Sequence, residues 1–206
     1  MATEDREAFF ARVRPFFAPS TLLDVDLAYT FAKFAHRAQV RNEKDEEGQS
    51  VRYFEHVRRV SILTVDELKV VLPELVIAAL LHDGIEDTRD ITPEQLEHSF
   101  GADVAVIVKT LSKVPKEGYL ERFVISTDWR PYAIKACDRL DNLRSMSQSS
   151  VEFRTKQVRE TREKYFPLFD RMITLAPHEL KDRVSSLRDV LRQETERQAT
   201  LLEARQ

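Results

Sequence analysis

Cysteine and glycine are scarce in this chain. Among 206 residues there is one cysteine, Cys137, and there are four glycines, at 48, 84, 101 and 118. A single thiol excludes a disulfide framework and a thiolate metal site, and makes a reducing cytoplasm the expected compartment. So little glycine, beside 33% charged residues, favours long helices over turn-rich sheets, so the expected fold class is all-α. A basic surface is missing too. The net charge of −3 argues against nucleic acid as a partner. A polyanionic small substrate would need its own local arginines. No apolar run approaches the roughly 18 residues of a membrane span, and the start, Met1 to Glu7, is acidic where a secretory leader is basic. The expectation is a protein neither exported nor anchored in a membrane.

At this length the chain can build one core of good size. We expect an N-terminal helical segment over 1–20, a main domain over 21–176 and a charged C-terminal helix over 177–206. Ser20 or Thr21 is expected to cap a helix reaching about Val40, with Leu23, Leu27, Phe31, Phe34 and Ala35 at helical spacing. Residues 42–51 read as an exposed loop, and a helix carrying Tyr53, His56, Val57, Val60 and Leu63 follows. Thr92-Pro93-Glu94-Gln95 has a capping threonine, proline at the first helical position and glutamine at the third, with Ile91 and Leu96 placed as a hydrophobic staple. Core helices are expected over 102–112 and from Pro131, then from Val151, bent at Pro167. In the tail, Leu180, Val184, Leu187 and Leu191 make an apolar stripe that Glu194 and Gln198 interrupt. That stripe can dock on its own domain or pair with a second subunit, giving a homodimer through the C-terminal helix.

The chemistry is concentrated between Val76 and Thr88. Six apolar residues, Val76 to Leu81, deliver the pair His82-Asp83 and then the pair Glu86-Asp87. On one continuous helix at ~100° per residue, Glu86, Asp83 and Asp87 fall at about 40°, about 100° and about 140° from His82, so all four share an arc. An imidazole and a carboxylate can each give a lone pair to a divalent cation, and a second acidic pair one turn on can orient or deprotonate a water. The competing reading is a helix end with a solvated acidic face, disfavoured because buried charge is costly unless paired or coordinated. On the helix after Pro131, Asp138 and Asn142 stand four residues apart, on one face.

In order and spacing, His56, His82-Asp83 and Asp138 resemble the H, HD and D metal positions of the HD phosphohydrolase superfamily, whose domain is a helical bundle. The blocks AHRAQVR (35–41), YFEH (53–56), AALLHDGIEDT (78–88), FGADVAVIV (100–108) and KACDRLDNLRSM (135–146) look like the hydrolase domain of RelA/SpoT-type enzymes, and in particular the standalone small alarmone hydrolases. The resemblance implies Mn2+-dependent removal of the 3′-pyrophosphate of (p)ppGpp, giving GDP or GTP and pyrophosphate. It implies His56, His82, Asp83 and Asp138 as metal ligands, Glu86 and Asp87 as the catalytic pair acting on water, and Arg41 and Asn142 as nucleotide contacts. Arg139 is a further candidate phosphate contact, weighed against a solvated helix face.

Some positions depart from that family. Val57 stands where proline is usual, Asn42-Glu43 where a basic run is usual, and Asp141 where histidine or tyrosine is usual; the 42–52 loop is long. These changes bear on nucleotide recognition. A related phosphohydrolase acting on a nucleoside phosphate or on the 2′-phosphate of NADPH therefore stays open, as does a non-catalytic nucleotide-binding regulator. Among the remaining residues, His36 reads as structural, His98 and His178 as surface, Trp129 as a packing anchor, Cys137 as a small buried side chain, and Asp141 as solvent-facing or paired with Arg144 or Lys135.

Overall fold

Proline fixes where several of the helices begin, because its locked φ suits a first turn whose N–H has no partner. The computed structural model describes residues 5–204; the first four and last two residues of the expected terminal segments lie outside it. In chain order the helices are α1 (Arg6–Val13), α2 (Pro19–Ala35), α3 (Tyr53–Asp66), α4 (Pro73–Leu81), α5 (Gly84–Asp87), α6 (Pro93–Phe100), α7 (Ala102–Leu111), α8 (Tyr119–Ile125), α9 (Arg130–Ser145), α10 (Val151–Glu160), α11 (Phe166–Leu175) and α12 (Lys181–Glu203). Proline lies in the first two positions of α2, α4, α6, α9 and α11. Among the described residues the fold is all-α apart from one antiparallel hairpin, β1 (Val40–Lys44) with β2 (Ser50–Arg52).

The centre of the molecule is α4. Leu75 to Leu81 are all at most 4% exposed, so this helix is covered on every side, with α3, α2 and α7 against it. Helix α9 is buried from Pro131 to Asp141 and packs on α3, α7, α11 and α12. The expected cap of α6 is present: Thr92 Oγ1 accepts from Gln95 N, and Gln95 Oε1 accepts from Thr92 N, with Ile91 and Leu96 both buried beside it.

Five local expectations change. Helix α2 is capped by extended Ala18, ahead of Ser20 and Thr21, and stops at Ala35, where the chain turns through His36 and Gln39 and Gln39 O accepts from Tyr53 N. Its buried side is Val25, Ala28, Tyr29, Ala32 and Ala35, whereas Leu23, Leu27 and Phe34 are 70%, 52% and 54% exposed. Both faces of α2 are apolar, and the small-residue face is the one that allows close approach to α4. Residues 42–51 are not an irregular loop but the middle of the hairpin. The Asp45 carboxylate accepts from the N–H of Glu47 and of Gln49, and Gly48, at φ +79°, makes the reversal that a Cβ would oppose. Helix α8 was not anticipated. The helix carrying His82 is broken after Leu81, so α5 is a separate short turn.

The tail docks on its own chain. Val184, Leu187 and Leu191 are fully buried, and the stripe continues through Thr195, Gln198, Ala199 and Leu202 against α9, α10 and α11. Gln198 does not interrupt it, because its amide is satisfied by Glu194 and by Arg154.

Candidate metal centre and its rim

Three helices bring the expected ligands together. His56 lies in the first turn of α3, His82 caps the C-terminus of α4, and Asp138 sits mid-α9. One ligand atom from each falls within 4.8 Å of the other two, and all three residues are buried. His56 Nε2 is 3.3 Å from Asp138 Oδ1 and 3.5 Å from Asp83 Oδ2; His82 Nε2 is 3.0 Å from Asp83 Oδ2 and 4.0 Å from Asp138 Oδ1. The break after Leu81 matters here. Asp83, in the turn between α4 and α5, lays its carboxylate alongside both imidazoles.

The hydrogen bonds fix what each imidazole offers. His82 Nδ1 faces the carbonyl of Ala79 at 2.9 Å, and a carbonyl only accepts, so Nδ1 carries a proton and Nε2 is the ring atom left to face an ion. That Nε2 is buried and makes no hydrogen bond, with carboxylate oxygen beside it. A buried ring nitrogen without a hydrogen bond, set among a second imidazole and carboxylate oxygens, is a donor set that fits a divalent ion. His56 donates Nδ1–H to Asp141 Oδ2 at 2.7 Å, and its Nε2 faces the cluster.

Charge in the centre is strongly coupled. Burial opposes a proton on His56, but Asp138, Asp141 and Asp83 outweigh it and push its pKa up to about 10 in the metal-free fold. Burial likewise opposes ionisation of Asp83 and Asp138; the neighbouring imidazoles, and Lys135 for Asp138, hold both well below the usual carboxylate range. Lys135 Nζ donates to Asp138 Oδ2 at 2.6 Å, Asn142 Nδ2 to Asp138 Oδ1 at 2.6 Å, and Tyr53 Oη to Asp83 Oδ2 at 2.7 Å.

The rim is built differently. Arg41, on β1, donates to Asn142 Oδ1 at 2.6 Å, so these two expected nucleotide contacts touch each other. They line a cavity of about 230 Å³ with Tyr53, Ser145, Met146 and Phe153. Glu86 is held by Lys113 Nζ at 2.9 and 3.0 Å. Asp87 stands exposed at the edge, where partial desolvation and the Asp83 carboxylate raise its pKa. Arg139 is not brought to the centre. Its guanidinium is 6% exposed, donates to Thr161 Oγ1 and Gln157 O, and lies over the Tyr165 ring, where it holds the π-helical turn between α10 and α11.

Sequence reasoning missed four residues. Asp141 neither faces solvent nor pairs with Arg144 or Lys135; it is 2% exposed and bound by His56 and Arg59. Its place one turn after Asp138 was the available signal. Lys135, one turn before Asp138, and Tyr53, one turn before His56, could have been read the same way. Lys113 carried no signal. His36 is buried and stacked on Tyr53, His98 and His178 are exposed, Trp129 is buried, and burial pushes the Cys137 thiol up.

A helical bundle whose core brings two imidazoles and the buried Asp138 carboxylate to one point, with Asp83 alongside, is a helical domain with a candidate divalent-metal site. Residues 28–123 match the HD domain family, so this part of the chain is an HD domain. The chain is 33% identical over 174 residues to the guanosine-3′,5′-bis(diphosphate) 3′-pyrophosphohydrolase of Aquifex aeolicus, covering 80% of this chain and 24% of that protein. It is 31% identical over 195 residues to the GTP pyrophosphokinase rsh of Brucella melitensis, covering 85% of this chain and 24% of that one. It therefore spans about a quarter of the length of these relatives. Among solved structures it is similar to one described as a metazoan ortholog of SpoT that hydrolyzes ppGpp, with a TM-score of 0.55 and 25% identity, over 82% of this chain and 94% of that one. Among the described residues, no helix is long and apolar enough to cross a membrane.

Proposed function

We propose that this chain is a Mn2+-dependent phosphohydrolase that removes the 3′-pyrophosphate of (p)ppGpp. Water adds to the phosphorus attached to the 3′-oxygen, that P–O bond breaks, the nucleoside 3′-oxygen takes up a proton, and pyrophosphate leaves beside GDP or GTP. The observation that carries the reading is the buried, unbonded His82 Nε2 sharing one point with His56 Nε2 and Asp138. In this reading His56, His82, Asp83 and Asp138 hold the ion. When bound, a divalent cation supplies charge stabilisation at a phosphoryl oxygen and a more acidic water.

The chain's own residues do the rest. Glu86, released from or sharing Lys113, and Asp87, its pKa already raised, take the proton from the attacking water. Arg41 and Asn142 orient the nucleotide at the mouth of the cavity beside β1. Arg139 has no part in substrate binding in this reading, since its buried guanidinium is turned to the α10–α11 turn. A cytoplasmic setting goes with a thiol that stays reduced. A homodimer through α12 would use that helix's charged outer face, because its apolar stripe is buried within the chain.

One observation keeps a second nucleotide in the assay: Glu43 lies 3.8 Å from Arg41 and 2.8 Å from Arg59, which cancels positive charge at the rim. Mn2+-loaded protein incubated separately with ppGpp, GTP, dGTP and NADPH should release pyrophosphate from ppGpp alone. Orthophosphate from NADPH, or a nucleoside product from GTP or dGTP, would move the assignment to a related phosphohydrolase. Tight ppGpp binding without turnover would leave a regulator.

A further inference from the structure

Beside the candidate metal centre lies a charged group that the proposed chemistry does not use. Asp141 on α9 is 2% exposed, and its carboxylate is hydrogen-bonded through both oxygens. Its Oδ2 accepts the Nδ1–H of His56 at 2.7 Å; Arg59 Nε donates to Oδ1 at 2.6 Å and Arg59 Nη2 to Oδ2 at 3.1 Å. The same guanidinium donates to Glu43 Oε2 at 2.8 Å, on the strand that carries Arg41.

A buried carboxylate is costly unless its oxygens are saturated, and here a bidentate arginine and an imidazole saturate them. An ionised carboxylate only accepts. Facing it, His56 must keep a proton on Nδ1, which leaves Nε2 as the atom able to coordinate toward Asp138 and Asp83. Without Asp141 the ring could flip, or settle with its proton on Nε2, and either change blocks the coordinating position. His82 has only the neutral carbonyl of Ala79 in the corresponding place. The two imidazoles are thus oriented by unlike partners, which provides an internal control.

We propose that Asp141, fixed by Arg59 and through it by Glu43, is a positioning residue that sets the tautomer and aim of His56 and thereby the affinity for the divalent ion, tying that ligand on α3 to strand β1. This rests on the reading of the cluster as a metal site. The geometry makes the relay specific to one of the two histidines. Its reach to β1 also means that the arm carrying Arg41 and the ligand His56 share one guanidinium.

The test uses the full chain and Asp141→Asn, Arg59→Gln and Arg59→Lys. Mn2+ and Zn2+ affinity is measured by competition with a chromophoric chelator, and the imidazole nitrogens are followed by 15N NMR, with His56→Gln and His82→Gln giving the assignments. Asp141→Asn should weaken metal binding by about 10- to 100-fold, the range typical of losing the partner of a coordinating histidine. It should shift the His56 tautomer signature and leave that of His82 in place. Arg59→Gln should give a smaller loss in the same direction, partly restored in Arg59→Lys. If Asp141→Asn does not fold, Arg59→Gln carries the test. A folded Asp141→Asn with wild-type affinity and an unchanged His56 signature overturns the relay. If the unmodified chain binds neither ion, the metal reading fails by itself, and the chemical shift of the hydrogen-bonded His56 Nδ1–H, compared between wild type and Asp141→Asn, still decides whether Asp141 orients the ring.

Discussion

His56, His82 and Asp138 stand on or at the end of helices packed into the core, and all three are at most 5% exposed; Arg41, Glu86 and Asp87 stand on a five-residue strand and a four-residue turn, and their partners are side chains at the surface or solvent. The first set is held by the core itself. The second is held by hydrogen bonds such as Arg41 to Asn142 and Glu86 to Lys113, which a substrate can exchange for its own. Rigid elements position a cation, while short elements leave room for a ligand to enter. The two regions should therefore fail in different ways when altered.

The sharpest contrast is between Asp138 and Glu86. Asp138→Ala removes a proposed ligand and also strands the Lys135 ammonium in the interior. We expect no bound metal, no turnover and a loss of about 3 to 5 kcal/mol in stability, the size typical of breaking a buried ion pair. Metal content and thermal unfolding check it, and wild-type metal content in the variant would remove Asp138 from the ligand set. Glu86→Ala should keep the metal and the fold yet lower kcat by about 10²- to 10⁴-fold, as expected for a group that handles a proton in the transition state. An active Glu86→Ala would end its assigned role and leave the Lys113 ion pair as its whole purpose.

A third prediction concerns the centre alone. With the pKa of His56 at about 10 in the metal-free fold, its ring is protonated at neutral pH, and an incoming cation has to displace that proton. Affinity for the ion should therefore rise with pH, by about tenfold per unit between about pH 6 and pH 8, because ligand deprotonation is coupled to binding. Calorimetric titration in buffers of different ionisation enthalpy would detect the released proton, and a flat profile would contradict it.

Between the two regions lies Gly84. A Cβ there would meet Ile91 Cδ1 at 2.5 Å and Ile91 Cγ2 at 3.2 Å, and Ile91 is itself buried. Gly84→Ala should destabilise by about 1 to 3 kcal/mol, the usual range for overpacking, and should displace Asp83 more than Asp138. Urea unfolding gives the first quantity, and a reduced metal affinity in the folded variant gives the second. The smallest effect belongs to α2. Leu23→Ser should change stability by less than about 0.5 kcal/mol, as surface substitutions do, whereas Ala28→Ser on the opposite face should cost more. Equal losses would mean that the exposed stripe is covered in solution.

Local chemistry wrote much of this into the chain. The threonine, proline and glutamine at 92–95 and the prolines at 73 and 131 mark helix starts that depend on nothing outside a single turn, and the structure has them there. Three of the five motif blocks carry the four candidate ligands in the same way, as residue types in a fixed order. What needed the assembled chain is whatever depends on which of several faces meets a neighbour. On α2 two apolar faces compete, and closeness to α4 selected the one with Ala28 and Ala32. After Leu81 the covering of Ile91 over Gly84 accompanies a break that swings Asp83 between the imidazoles. Asp141 became a buried partner of His56 because α3 and α9 cross at that point. Sequence determines what each turn prefers to be; only packing decides which side chains come within bonding distance, since that distance is set by elements far apart along the chain.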